Sequence, residues 1–387
     1  MSVSTGPVSP RVANQRRVLG LLQRGTDAVS QAEIARTLQL APATVSNVVR
    51  DLVRAGVVET TLGSGRRGTT VRVARRAGLV AGVDIGHRHL RVALGDLAGR
   101  VLASERAPLD AHHPYGDALA LVDSLLAKLL TDAGSSRDDI LTVGFGIPAP
   151  ISDEGLVMSS AILPGWVGIN AHDVVQERLG RPVHIDNDAN LGAIAEHRIG
   201  AGVGHDIMAF VKVSSGVGAG LVVDGKLFRG AGGTAGEIGH LTLDEQGPLC
   251  RCGSRGCLEA YASTSTAEAL ASPQLPGATF DDVIAAAGAG HVAAVRILED
   301  AGLHLGWGLA MLANLLNPSA IVIGGDMSRA GDLLLDFVRL GLRRHALPSV
   351  ATHTLVVPAA LGDRASVTGA LFLALECTEL VPDAGVG

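Results

Sequence analysis

One histidine and three cysteines crowd into a single short stretch of this chain: His240, then Cys250, Cys252 and Cys257, separated mostly by Gly, Pro, Arg and Ser. A tetrahedral Zn²⁺ takes such a set as a closed Cys₃His site, and a chain that gathers it must wrap its loop around one ion. Free cysteine is also among the most buried residue types. Gly, Pro and Arg between the thiols make a poor core segment, however, so a structural metal is the favoured reading. Cys377 stands alone in a terminal apolar run and reads as core. Sparse cysteine elsewhere, with no apolar leader-like run near Met1, argues against a secreted disulfide framework and for a cytoplasmic protein.

Charge divides the chain. Residues 1–76 hold twelve arginines, no lysine and four acids (Asp27, Glu33, Asp51, Glu59), a net +8, so the remainder carries −14 of the overall −6. A basic head on an acidic body points to a polyanionic partner for the head alone. Gly or charge interrupts every apolar run before it could span a membrane.

The head has the pattern of a winged helix-turn-helix. Val18, Leu19, Leu21 and Leu22 recur at helical spacing in 14–23, and Ser30 with Glu33 reads as a capping box opening a helix over 31–38, with Ile34, Ala35 and Leu38 inward. Pro42 suits the first turn of a second helix over 42–55, whose expected stripe is Val45, Val48, Val49, Leu52 and Val53. Thr44, Ser46, Asn47 and Arg50 then face outward, where a recognition helix meets base edges. Asn pairs with adenine and Arg with guanine, making Asn47 and Arg50 the best base-reading candidates. Gly56 ends that helix, and 57–60 with 69–73 read as a hairpin. Its tip carries Arg66 and Arg67 between glycines, suited to phosphate or a narrow minor groove. Each residue singly fits a solvated surface equally well; the assembly with its charge indicates double-stranded DNA. The run 75–78 reads as a linker.

From Leu79 the pattern becomes short apolar strands alternating with helices: strands over 79–84, 90–97, 100–107 and 140–147, a helix over 116–133, a strand over 183–186 and a helix from about Ala189. Paired strands over 207–214 and 218–223, a long helix over 292–316 and a strand over 320–323 follow. This alternation implies an α/β sheet covered by helices. Three strands, a helix and a strand, with Asp84 closing the first strand, resemble the actin-like ATPase (ribonuclease H-like) fold of two lobes.

The motifs carry a more specific resemblance, to the ROK family (repressors, open reading frames and sugar kinases) and its repressor branch. Gly236-Glu237-Ile238-Gly239-His240 followed by Cys-x-Cys-Gly-x-x-Gly-Cys-Leu-Glu is similar to that family's zinc-and-sugar signature. Asp186-Asn187-Asp188-Ala189-Asn190 matches the segment with the sugar-binding Asn and catalytic Asp. Leu163-Pro164-Gly165-Trp166 resembles the sugar-contacting loop, the run Ser215, Gly216, Val217, Gly218 the second phosphate loop, and Gly324-Gly325 the start of the adenosine-side motif. The resemblance implies that Gly165, Asn187, Asp188, Glu237, His240 and Glu259 bind a sugar, and that His240 joins the three cysteines on structural zinc. Asp188 would act as general base only if kinase chemistry survives. Read singly, Asp188 also suits a helix N-cap, and Glu237 or Glu259 a pairing with Arg251 or Arg255.

Family kinases carry Asp-x-Gly-Gly-Thr at the first turn, where this chain has Asp84-Ile85-Gly86-His87-Arg88-His89. A His in place of the second Gly obstructs close approach of phosphate, and the Thr donor is lost. Asp84, Gly86, Ser215, Gly216, Gly218, Gly324 and Gly325 therefore read as a degenerate nucleotide site, and Asp326 adds a further departure. The expectation is a sugar-responsive repressor with a DNA-binding domain at 1–76 and an effector domain at 77–387. Its lobes are 77–188 with 364–378, and 189–363. A homodimer or homotetramer on an operator is expected, with no membrane. The alternative is an active ATP-dependent sugar kinase with a fused head; a third reading is a regulator controlled by protein docking.

Overall fold

The computed structural model describes residues 10–23, 28–62, 68–74, 77–110, 113–152, 154–158 and 163–378. The head runs α1 (Pro10–Gln23), β1 (Val29–Ser30), α2 (Gln31–Leu38), α3 (Pro42–Arg54), β2 (Val58–Leu62) and β3 (Thr69–Val73). The Ser30 hydroxyl accepts from the Glu33 N–H at 3.2 Å, so this end is an N-cap and not the reciprocal box expected from the sequence. Gln39, left-handed at φ 52°, turns the chain between the two helices. On α3 the stripe is Val45, Val48, Val49 and Leu52. Val53 departs from expectation, being 40% exposed. One residue past Leu52 advances about 100° round the helix, which carries Val53 off the core face. The three strands pair antiparallel in the order β1-β3-β2. Arg66 and Arg67, and Arg75 and Arg76 of the linker, lie outside the described residues.

The body is one topology used twice. Strands β4 (Leu79–Ile85), β5 (His89–Asp96) and β6 (Val101–Pro108) are antiparallel neighbours. After α4 (Tyr115–Asp132), β7 (Ile140–Ile147) joins β4 in parallel; after α5 (Ala171–Leu179), β8 (Val183–Asn187) joins β7, and α6 (Asp188–Ile199) leaves it. The second half repeats this with β9 (Met208–Val213), β10 (Val217–Val223) and β11 (Lys226–Phe228) antiparallel. There follow α7 (Thr264–Ala271), α8 (Phe280–Gly288), α9 (Val292–Leu316), β12 (Ala320–Gly324), α10 (Asp332–His345), α11 (Pro348–His353), β13 (Leu355–Pro358) and α12 (Ala365–Cys377). The sheet orders are β6-β5-β4-β7-β8 and β11-β10-β9-β12-β13. The central strands β4 and β12 are buried on both faces, as their near-continuous Val, Ile and Ala runs require.

Helices α6 and α12 lie between the sheets, α12 against β4 and β7 and α6 against β9 and β10. Their crossing is at backbone contact: a Cβ on Gly369 would collide with the Leu191 carbonyl. The Glu196 carboxylate, fully buried on α6, accepts from Ala201 N (2.7 Å), Ala360 N (3.1 Å) and Leu361 N (2.8 Å), tying α6 to the segment leading into α12. The head is continuous with this frame. Val18, Leu19 and Leu22 of α1 and Val71 and Val73 of β3 share one apolar cluster with Val80, Leu97, Phe372 and Leu375. Gln23 Nε2 donates to the Leu97 carbonyl at 2.9 Å. No helix among the described residues is long and apolar enough to cross a membrane.

Candidate sugar cleft and metal centre

The metal-ligating set is built by a loop whose turns are dictated locally. His240 ends a short 3-10 turn, Ile238–His240. Leu243 N donates to Gly256 O and Cys250 N to Ser254 O, both at 2.8 Å, folding 243–257 back on itself. Gly256 has φ 63°, and a Cβ there would strike the Asp244 carbonyl, so the second Gly of the motif is a steric requirement. The ligand atoms of His240, Cys250, Cys252 and Cys257 all lie within 4.8 Å of one another. Cys252 Sγ and Cys257 Sγ are 3.8 Å apart, and Cys250 Sγ is 4.0 Å from His240 Nδ1. Zn–S bonds of 2.3 Å at tetrahedral angles give an S···S edge of about 3.8 Å, so the donor set fits that ion in chemistry and spacing. Burial pushes the Cys257 thiol up to about 12; a thiolate there needs a cation beside it.

A cleft of about 690 Å³ opens beside this cluster, and Asn187, Asp188, Glu237, His240 and Glu259 all line it. They differ in what remains free. Asn187 is the N-cap of α6: its Oδ1 accepts from Ala189 N at 2.9 Å and its Nδ2 donates to Ala149 O at 3.4 Å. Asp188 is the first residue of that helix, not its cap. Glu259 is occupied at both oxygens, by Arg251 Nε at 2.6 Å and Val217 N at 3.0 Å. The Glu237 carboxylate, half-buried, makes no hydrogen bond or ion pair among the described residues, and burial holds its carboxyl above the ordinary range against the opposing pull of His240. Asp188 engages Lys212 through Oδ2 alone, at 2.7 Å. With Nδ1 of His240 on the cysteine side, Nε2 is left for a ligand. Unspent acceptors and an imidazole edge on one wall suit the hydroxyls of a sugar ring. Gly165 does not join them: it is absent from the cleft lining and packs against His113 and Pro114.

Gly86, Ser215, Gly216 and Gly218 also line the cleft. The His89 ring lies over Gly86, so close that a Cβ on Gly86 would fall inside it, and its Nε2 is 3.4 Å from Asp84 Oδ2. The carbonyl of Ser215 is taken by Arg251. Asp84, Gly324 and Gly325 are not part of the lining; Gly325 is pressed on the Val213 backbone, while Asp326 and Arg329 reach the cleft as an ion pair at 3.6 Å. Sequence reasoning passed over Lys212, although a charge inside the apolar strand Met208–Val213 was a visible signal. It also passed over Arg229, whose Nε and Nη2 both donate to Asp186 Oδ2 (2.9 and 2.7 Å), bridging the lobes.

On the head, Asn47 and Arg50 are exposed on α3, whereas Thr44 and Ser46 are half-buried. That leaves two long polar side chains projecting from the face that a groove would meet.

Comparisons with known proteins agree with this architecture. The ROK family model matches residues 80–377, and the MarR family model matches residues 8–68. The chain is 30% identical over 365 residues to the xylose repressor of Caldicellulosiruptor bescii, covering 90% of this chain and 92% of the relative. A ROK family transcriptional regulator, a homologue of the E. coli MLC protein, shares the fold with a TM-score of 0.81 at 24% identity, over 96% of this chain and 98% of that one. The ROK family glucokinase of Streptomyces griseus, solved with glucose and AMPPNP, superposes with a TM-score of 0.69 at 32% identity, over 77% of this chain and 99% of that one. The chain therefore belongs to the ROK family, with a MarR-type winged helix at its head.

Proposed function

We propose that this protein is a sugar-responsive DNA-binding repressor whose operator affinity changes when a sugar or sugar derivative occupies the cleft. The observation that carries this reading is the convergence of Glu237, Asp188 and His240 on one cleft in a body whose core runs unbroken into the DNA-binding head. Residues 1–76 are the head and 77–387 the effector body, divided into lobes 77–188 with 364–378, and 189–363. His240, Cys250, Cys252 and Cys257 hold structural Zn²⁺; four protein ligands leave no position open for substrate. When bound, the metal supplies a fixed tautomer and orientation for His240. Sugar favours the arrangement in which it is better held, and shifts DNA affinity only by its differential affinity for the two states. Two heads of a dimer or tetramer read a pseudo-palindrome, in the cytoplasm.

The direct test is anisotropy titration of a selected operator duplex against zinc-loaded protein, with a panel of monosaccharides and their phosphates. One of them should shift the operator Kd by about 5–150-fold, the usual range of such couplings. Unchanged affinity across the whole panel at saturating concentration would sink the reading. In the same assay Asn47→Ala and Arg50→Ala should each cost about 1–3 kcal/mol and relax base preference, as loss of a bidentate base contact does. A uniform loss on all sequences would instead assign that residue to phosphate. Arg66 and Arg67 are assigned to backbone or minor-groove contacts.

The kinase alternative has Asp188 in its favour, at the helix start where a sugar hydroxyl would surrender its proton. Against it stands the first turn, where the His89 ring covers Gly86. Sugar-dependent ADP release that Asp188→Asn abolishes would bring that reading forward.

A further inference from the structure

Lys212 is the cation that the sugar reading leaves unexplained. It is one of three lysines in the chain, and it points from β9 into the cleft with its side chain 14% exposed. Its Nζ lies 2.7 Å from Asp188 Oδ2, 3.3 Å from Ser366 Oγ at the start of α12, and 4.0 Å from Asp84 Oδ1 at the end of β4. The Asp84 side chain is 1% exposed, and its Oδ1 has no hydrogen-bond partner. A buried carboxylate oxygen left in that state is tolerable only beside a positive charge. Burial would raise the Asp84 carboxyl, but the Lys212 ammonium, with the His89 hydrogen bond, holds it below its usual range. Burial would likewise lower Lys212, and the Asp188 and Asp84 carboxylates reverse that and hold it above its ordinary value.

Two carboxylates on facing elements, one at a strand end and one at a helix start, are the donor pair with which a protein holds Mg²⁺ or Mn²⁺ beside a polyphosphate. We propose that Lys212 is the resident cation of this cleft, occupying the space between Asp84 and Asp188 that a divalent ion would need, so that the cleft admits a sugar and rejects a metal–nucleotide complex. A dication ligated by both carboxylates would sit against the ammonium in a low-dielectric pocket, where like charges repel strongly. The lysine engages Asp188 through Oδ2, and Asp188 still lines the cleft. It acts as a specificity-determining and positioning residue, and explains chemically why a kinase-like cleft serves an effector.

The proposal rests on the effector reading for what the cleft admits, but its test does not use operator or sugar. Mn²⁺ is titrated into full-length, zinc-loaded protein and followed by electron paramagnetic resonance, with zinc content measured in parallel. The wild type should bind no Mn²⁺ below millimolar concentration. Lys212→Met should bind one, at least tenfold more tightly, and adding Asp188→Asn should abolish it. Lys212→Met leaves two buried carboxylates uncompensated, so its thermal midpoint is read with and without Mn²⁺; the ion should raise the variant's and leave the wild type's unmoved. A wild-type Mn²⁺ site that Asp188→Asn removes overturns the proposal, as does a folded Lys212→Met that gains none. If the variant does not fold under either condition, the wild-type titration decides alone.

Discussion

Glu196→Ala is expected to cost the body about 3–5 kcal/mol of stability, the size of effect reserved for broken buried networks. Three backbone N–H groups, of Ala201, Ala360 and Leu361, converge on this one carboxylate, and each left unsatisfied in a buried setting costs about 1–3 kcal/mol. Glu196→Gln should recover part of the loss, because its carbonyl oxygen in the Oε2 place still accepts from Ala201 and Ala360 while its NH₂ faces the Leu361 donor. Urea unfolding followed by circular dichroism measures the change. A loss below about 1 kcal/mol would mean that water replaces the carboxylate, and that α6 and the start of α12 are not held together by it.

Removing the metal, by chelation or by Cys252→Ser, should abolish the response to sugar before it abolishes DNA binding. The Cys₃His cluster and the cleft wall share His240, and Glu259 ties the cysteine loop, through Arg251, to the start of β10, through Val217 N. Loss of the ion therefore releases the wall itself, and a structural zinc contributes about 10–16 kcal/mol of apparent binding energy in small domains. The head draws its core from α1, α3, β3 and α12, away from this loop. Operator affinity without sugar should stay within about tenfold of the wild type. Anisotropy with and without the effector sugar, alongside zinc stoichiometry, checks both halves. A zinc-free protein that still responds normally would show the cluster and the pocket to be independent.

Helix α12 gives these sites a common support. Ser366 at its start donates to the carbonyl of Asp188, a cleft-lining residue, at 2.9 Å. Phe372 and Leu375 near its end belong to the cluster that contains Val18 and Leu22 of the head. Arg198 of α6 also stacks over the Phe372 ring at 4.9 Å. One helix thus contacts both Asp188 beside the cleft and the core of the head.

What the sequence determined by itself was local. The Cys₃His loop closes through turns that its own glycines permit, so the ligand spacing was legible without coordinates. The head was legible because a 3.6-residue period and two turn signals specify short helices, and the error at Val53 lay at the margin of its stripe. The strands of both lobes could be read from apolar runs bounded by glycine. Tertiary structure decided which ends meet. His89 covering Gly86, Lys212 between Asp84 and Asp188, Glu196 reaching Leu361, and α1 buried against α12 join segments that are remote in the chain or rotated by a turn. Periodicity carries no record of such pairings. Glu259 shows the difference in one residue: its sequence context fits a sugar acceptor and an arginine partner equally, and only the packed structure shows that Arg251 and Val217 N already each hold one of its oxygens. Hydrogen-bonding capacity is spent in three dimensions, and a chain read residue by residue does not reveal what remains.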